Sequence, residues 1–91
     1  MTFLMLGKYT AEAIKGISSD RTQKARTAIE NAGGKINALY ALMGEHDLAL
    51  IVEFPSLDDA VKASITLNKL TGIGFSTLPA LPVEALDKLV D

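Results

Sequence analysis

Three segments of this chain predict β-strands that carry apolar side chains on both faces. Alternate side chains of a strand point to opposite sides of a sheet. Both parities are apolar in residues 46–54, with Leu48, Leu50, Val52 and Phe54 against Ala49 and Ile51. The same holds in residues 35–43, with Ile36, Ala38, Tyr40 and Leu42 against Leu39, Ala41 and Met43, and in residues 2–9, with Phe3 and Met5 against Leu4 and Leu6. Because a half-solvated sheet would be polar on one parity, this pattern predicts a sheet shielded from water on both sides.

Helical segments separate these strands. Thr10 can cap one or two helical turns over residues 10–16, and Ser18 or Ser19 can cap a longer helix. The apolar face of the longer helix consists of Ala25, Ala28, Ile29 and Ala32. Gly33 and Gly34 end this helix, since glycine accepts the left-handed conformation cheaply. The cations Lys15, Lys24, Arg26 and Lys62 are assigned to solvated helix faces.

A second long helix is predicted over residues 57–71. Ser56 and Asp59 have the spacing of a capping box at its start. Gly72 follows its last residue and is suited to end it.

The last part of the chain contains two informative prolines. Residues 73–81 have strand character, but Pro79 cannot donate to a ladder, so this strand is expected at an edge of the sheet. Pro82 is suited to start a short tail helix. The apolar stripe of that tail consists of Val83, Leu86, Leu89 and Val90.

The order β-α-β-β-α-β plus a tail predicts one α+β domain over residues 1–91. It is the ferredoxin-like arrangement, an antiparallel four-stranded sheet with both helices on one face. Four strands of ~7 residues at ~4.8 Å spacing leave an uncovered face of roughly 400 Å² in projection. Exposed apolar patches of that size mark interaction sites, and most soluble oligomers are two-fold homodimers. We therefore expect the open faces of two copies to pack together; the alternative is that the tail helix folds back over the sheet.

Composition excludes several kinds of site. Nine Lys and Arg against eleven Asp and Glu give a net charge of −2, which argues against a nucleic-acid partner held by bulk charge. The absence of Cys excludes disulfides, thiolate nucleophiles and thiolate metal ligands. One His cannot form a multi-histidine metal site. Because these ligand sets and any phosphate-binding or metal-spacing motif are lacking, we expect no metal and no cofactor. No signal peptide or membrane span is recognisable, so we expect a cytoplasmic location.

Several stretches give the chain a resemblance to a known family over nearly its whole length. The resemblance is carried by GKYT at residues 7–10, Arg21 after Ser18-Ser19-Asp20, Gly33-Gly34-Lys35, LYALMGEHDLALIVEFP at residues 39–55, and STLPAL from Ser76. On these residues the chain resembles the GYD domain family, whose Gly-Tyr-Asp signature matches Gly44 and Asp47 but has His46 at the tyrosine position. The resemblance implies a small bacterial or archaeal protein of the dimeric α+β barrel type. It implies no reaction, because fold relatives include oxygenases, isomerases, haem enzymes and sensing domains.

His46 is the candidate catalytic residue, because histidine exchanges protons near neutral pH. An acid–base role needs a carboxylate partner and an enclosed pocket. Glu45 and Asp47 adjoin it, but on a regular strand both point to the opposite face. The alternative is a partly exposed residue at the hairpin that replaces an aromatic. Haem ligation by a single histidine is a third option.

The candidate ligand-binding residues are Tyr9, Arg21, Tyr40, His46, Asp47 and Asn68. Each also has a structural interpretation. The two tyrosines can pack in the core, and Asp47 can accept backbone N–H groups in the hairpin turn. Arg21 opposes the helix dipole, which indicates an ion pair with Glu45, Asp47 or Glu53. Asn68 can satisfy a backbone group.

Three functions fit these residues. The first is a homo-oligomeric module that binds or senses a small apolar or amphipathic ligand. The second is a cofactor-independent enzyme, isomerase- or oxygenase-like, that uses His46 as acid and base. The third is a structural subunit that self-assembles, which an exposed apolar stripe on the tail helix would favour.

Overall fold

The computed structural model describes all residues, 1–91, and arranges them as four strands and four helices. In chain order these are β1 (Thr2–Lys8), α1 (Ala11–Lys15), α2 (Ser19–Asn31), β2 (Lys35–Ala41), β3 (Leu48–Glu53), α3 (Leu57–Thr71), β4 (Gly74–Ala80) and α4 (Val83–Val90). The strands lie in the order β2-β3-β1-β4, and every neighbouring pair is antiparallel. The predicted α+β, ferredoxin-like arrangement is therefore confirmed, with β4 at an edge as its proline requires.

Side-chain caps fix where the helices begin. The Ala13 N–H donates to Thr10 Oγ1 at 3.0 Å, and the Arg21 N–H donates to Ser18 Oγ at 3.0 Å. At the start of α3, Ser56 Oγ accepts the N–H of Asp59 at 3.2 Å and donates to its Oδ2 at 2.8 Å. Each bond satisfies a backbone or side-chain group that the helix itself cannot pair.

Glycines end both long helices, and a third allows close packing. Gly33, after α2, has a φ of 85°, in the left-handed region. Gly72 has a φ of 75°, in the left-handed region, and its N–H donates to the carbonyl of Asn68 at the end of α3. At Gly34 a Cβ atom would lie 2.7 Å from both Ile29 Cγ2 and Phe54 Cε1. A side chain at position 34 would therefore push α2 away from the sheet.

The core lies between the sheet and the pair α2 and α3, which pack against each other on one face. The sheet contributes Phe3, Met5, Leu50, Val52 and Phe54, and the helices contribute Ile29, Ala60, Ala63 and Leu67. Alanines at the inward positions of α3 let that helix approach the sheet closely. A hydrogen bond of 2.6 Å between the hydroxyls of Ser64 and Thr77 ties α3 to β4.

A bulge in β2 changes the predicted alternation. The register shifts between Ile36 and Ala38, so that Ile36 pairs with Val52 and Leu39 pairs with Leu50. Ile36 and Leu39 thus lie on the same side of the sheet, the side that faces the helices. The prediction that Ile36 shares a face with Ala38 is wrong, because Asn37 is the extra residue of the bulge.

The connection between β2 and β3 is longer than predicted. The strands end at Ala41 and resume at Leu48, and residues 42–47 join them. The Leu42 N–H donates to the carbonyl of Asp47 at 2.8 Å, and the Asp47 N–H donates to Gly7 of β1 at 2.8 Å. The strand ranges 35–43 and 46–54 inferred from the sequence leave only Gly44 and Glu45 for a hairpin turn. That prediction is wrong, since the backbone of Asp47 bonds to β1 as well as closing the loop.

The face of the sheet away from the helices, here called the open face, is apolar and uncovered. Its central apolar side chains are Leu4, Leu6, Ala38, Tyr40, Ala49, Ile51 and Leu78, and Ser76 lies among them beside Leu6. Tyr40 is 62%, Leu78 46% and Ile51 39% exposed. Only 12 of the 91 residues are buried, which is a small core for a chain of this length. The expectation that both faces are apolar holds, and one of them is left in water.

The tail helix α4 does not cover this face. None of its residues is buried, and Val83, Leu86, Leu89 and Val90 are each at least 51% exposed. The radius of gyration is 13.8 Å, against about 12 Å for a compact chain of this length. The alternative in which the tail folds back over the sheet is therefore wrong.

None of the helices combines the length and apolar character that a membrane span requires.

The position of Leu50 generates a stability prediction. Its side chain is 3% exposed and lies against the helices. Leu50→Asp places a charge in this layer without a partner, at a cost of several kcal/mol, and we expect it to unfold the domain. Leu50→Met conserves volume, and we expect it to cost less than about 1.5 kcal/mol. Circular dichroism and urea denaturation distinguish the two; a Leu50→Asp variant with wild-type melting would contradict the assignment of this face.

Candidate ligand pocket

A pocket opens between α2 and the sheet, on the side opposite the open face. It has about 510 Å³ of space counted with its mouth, and 10 of its 14 lining residues are apolar. The sheet supplies Leu39, Leu48 and Leu50, and α2 supplies Ala25 and Ile29. A concave apolar site with a few polar groups is the usual form of a small-ligand site.

Tyr9 and Arg21 lie at this pocket together. The Arg21 guanidinium is 5.6 Å from the centre of the Tyr9 ring, a cation–π distance. Its Nη1 also donates to the carbonyl of Ala13, a buried residue of α1. The ion pair predicted for Arg21 is not formed: the chain's ion pairs join Lys15 to Glu12 and Lys24 to Asp20, both on exposed surface. The Arg21 side chain instead donates to a carbonyl of the short α1 that also accepts the N–H of Gly16.

Asp47 holds Tyr9 in place. Its Oδ2 accepts the backbone N–H of Tyr9 at 2.7 Å. The carboxylate therefore bonds to a backbone group, as expected, but that group lies just after β1 and not in the hairpin turn. Nearby, Lys8 Nζ donates to the carbonyl of Glu45 at 2.7 Å. These two bonds fasten the loop 42–47 to the end of β1, and thereby position the Tyr9 ring at the pocket.

His46 and Tyr40 lie elsewhere. His46 is half-buried in the loop 42–47, and it does not line the pocket. The pocket therefore gives no support to an acid–base role for this histidine. Tyr40 lies on the open face beside Ala49, with which it pairs across β2 and β3.

Asn68 acts on the backbone next to the pocket. Its Nδ2 donates to the carbonyl of Ile73 at 3.1 Å, across the turn that joins α3 to β4. Ile73 is buried and lines the pocket. The amide therefore holds the wall of the pocket and is not itself one of its lining groups.

Arg26 is a pocket residue that the sequence analysis assigned to solvent. Its side chain is half-buried and lines the pocket together with Thr22, one turn before it on α2. The spacing of the residues could have identified Arg26 as a pocket residue. Thr22, Arg26 and Ile29 recur at intervals of four and three and therefore share one helix face. The charge of Arg26 led to its assignment as solvated, although long cationic side chains often lie along apolar surface.

No group of three or more His, Asp or Glu side chains is arranged to hold a metal ion.

A family model described as GYD domain matches residues 3–90, nearly the whole chain. A comparison with curated proteins found none that match.

The bond between Asp47 and Tyr9 generates a prediction. Asp47→Ala leaves the part-buried N–H of Tyr9 without its acceptor, which we expect to lower the free energy of unfolding by about 1–3 kcal/mol. Asp47→Asn keeps an acceptor oxygen, and we expect a smaller loss. Urea denaturation at one fixed protein concentration measures both. Equal losses in the two variants would show that the carboxylate charge, and not the acceptor, is what matters.

Proposed function

This chain belongs to the GYD domain family, and we propose that it is a homo-oligomeric module that binds a small ligand. Two copies pack open face to open face, and each carries its ligand in the pocket on the helical side. The observation that carries the proposal is the apolar open face, which neither the helical layer nor the tail helix covers. No specific observation in the fold favours a reaction over binding.

The distribution of side chains on the open face supports association between identical copies. The centre is apolar, while Lys8, Lys35 and Glu53 lie on the outward side at the strand ends. An apolar centre with a charged rim is the usual anatomy of a protein interface. Because the rim holds both signs of charge, a two-fold axis can bring a lysine of one copy near the glutamate of the other.

The position of the pocket supports ligand binding within such an assembly. Leu48 and Leu50 point toward the pocket, whereas Ala49 and Ile51, their neighbours in β3, point to the open face. Face-to-face packing therefore leaves the pocket accessible. A small ligand can enter from the helical side without separating the copies.

The exposed tail favours a second candidate, a subunit that assembles further. The stripe of α4 is apolar and projects away from the body of the domain. Stable interfaces bury about 800 Å² on each partner, and the open face offers roughly half of that in projection. The tail adds a further apolar surface after the edge strand β4, and contact with a second copy would bury it.

Ile51→Asp tests the face-to-face dimer. The side chain is at the centre of the open face and is 39% exposed in one copy, so the substitution leaves the helical core intact. In a two-fold dimer it buries two like charges, and we expect the protein to become monomeric. Ile14→Asp, on α1 and also exposed, is the matched control and is expected to keep the wild-type mass. Native mass spectrometry reads the result; an Ile51→Asp protein of wild-type oligomer size would exclude this interface.

Leu86→Asp tests the role of the tail. If α4 joins dimers into larger assemblies, this substitution reduces the particle to a dimer and leaves the sheet interface in place. Light scattering coupled to size-exclusion chromatography measures the mass. Glu84→Gln, on the same helix and also exposed, serves as the control. An unchanged mass for Leu86→Asp would remove the tail from the assembly.

A further inference from the structure

We infer that the pocket takes a small carboxylic acid with a compact apolar body, and that its carboxylate lies at the mouth beside Arg21 and Arg26. The inference rests on the proposed function, namely that this pocket binds a ligand, and adds the chemical class of that ligand. It is carried by two unneutralised guanidinium groups at the rim of an apolar cavity.

Neither cation at the mouth, Arg21 or Arg26, forms a contact ion pair with an acidic side chain of the protein. Glu30, one turn beyond Arg26, is exposed and unpaired. Asp47 lies beside Tyr9, and its Oδ2 already accepts the N–H of that residue. The whole chain has a net charge of −2, so this pair of cations is not part of a generally basic surface.

The donors at the mouth fit a carboxylate. Arg21 uses one N–H on the Ala13 carbonyl, which leaves most of its planar fork free. Arginine pairs carboxylates bidentately, and such charge-assisted bonds are about twice as strong as neutral ones. Half-burial of both arginines strengthens the attraction relative to bulk water. The pocket offers no glycine-rich run of backbone N–H groups, the arrangement that typically cradles a phosphate.

The size and walls of the cavity limit the rest of the ligand. The centres of water molecules can reach about 70 Å³ of the pocket, so it has room for only a few waters. Ile29, Leu50 and Leu67 are buried apolar side chains in its wall. A single aromatic ring or a short branched chain fills such a space, whereas a long acyl chain exceeds it.

Four probes of one shape test the inference on the full chain: phenylacetate, phenylacetamide, phenethylamine and phenyl phosphate. Binding is followed by NMR shifts of the amides of Ala25, Ile29 and Leu39, which localise the probe to the pocket. We expect phenylacetate to bind at least about tenfold more tightly than the neutral amide, as a charge-assisted bond requires. The amine is expected not to bind.

Two matched variants test whether Arg26 causes the preference for the acid over the amide. Arg26→Gln is expected to abolish the tenfold difference between acid and amide while the amide still binds. Lys24→Gln removes the same charge from the same helix, but Lys24 is exposed and ion-paired to Asp20 at 3.4 Å, so the difference is expected to persist. Persistence in Arg26→Gln as well would overturn the assignment.

The outcomes separate this inference from the proposed function. If acid and amide bind equally, or if phenyl phosphate binds best, the carboxylate preference is overturned while ligand binding stands. If none of the four shifts the pocket amides, the inference is overturned. The oligomeric half of the proposed function is then judged separately from the mass of the Ile51→Asp protein.

Discussion

A single helical layer on a sheet that is apolar on both sides is the constraint on which the rest of this structure depends. α2 and α3 bury Phe3, Met5, Leu50, Val52 and Phe54 on one face of the sheet. The chain has no second helical layer to cover the open face. Hydrophobic burial is the main favourable term in folding. A domain that buries so few of its residues therefore has much to gain from a contact on its second face.

The same sheet also organises the pocket. Alternate residues of β3 point to opposite sides, so one strand supplies the pocket wall and the open face. The loop 42–47 is fixed to the end of β1 by the bond from Tyr9 to Asp47, and Arg21 stacks on that tyrosine. Tyr9 thus connects the end of the sheet to the first turn of α2, through its N–H on the Asp47 carboxylate and its ring beneath the Arg21 guanidinium.

Local chemistry made much of this fold predictable from sequence. The caps at Thr10, Ser18 and Ser56 and the left-handed glycines Gly33 and Gly72 act within one helical turn, so sequence spacing identifies them.

The bulge at Asn37 was not predictable in this way, since it is defined by pairing with a distant strand. Arg26 was missed for a related reason. Whether a cation on an amphipathic helix faces water or a pocket depends on how far the helix stands from the sheet, which is a property of tertiary packing.

The two edges of the sheet decide how such molecules can accumulate. β4 carries Pro79, which has no N–H to offer an incoming strand, and β2 is kinked by its bulge and bears Lys35 near the end. Proline, charge and bulges are the devices by which natural sheets resist fibril growth. Although this chain exposes a large apolar surface, its edge strands are poorly suited to pair with strands of other molecules. At high concentration we therefore expect finite oligomers and not amyloid-like fibrils.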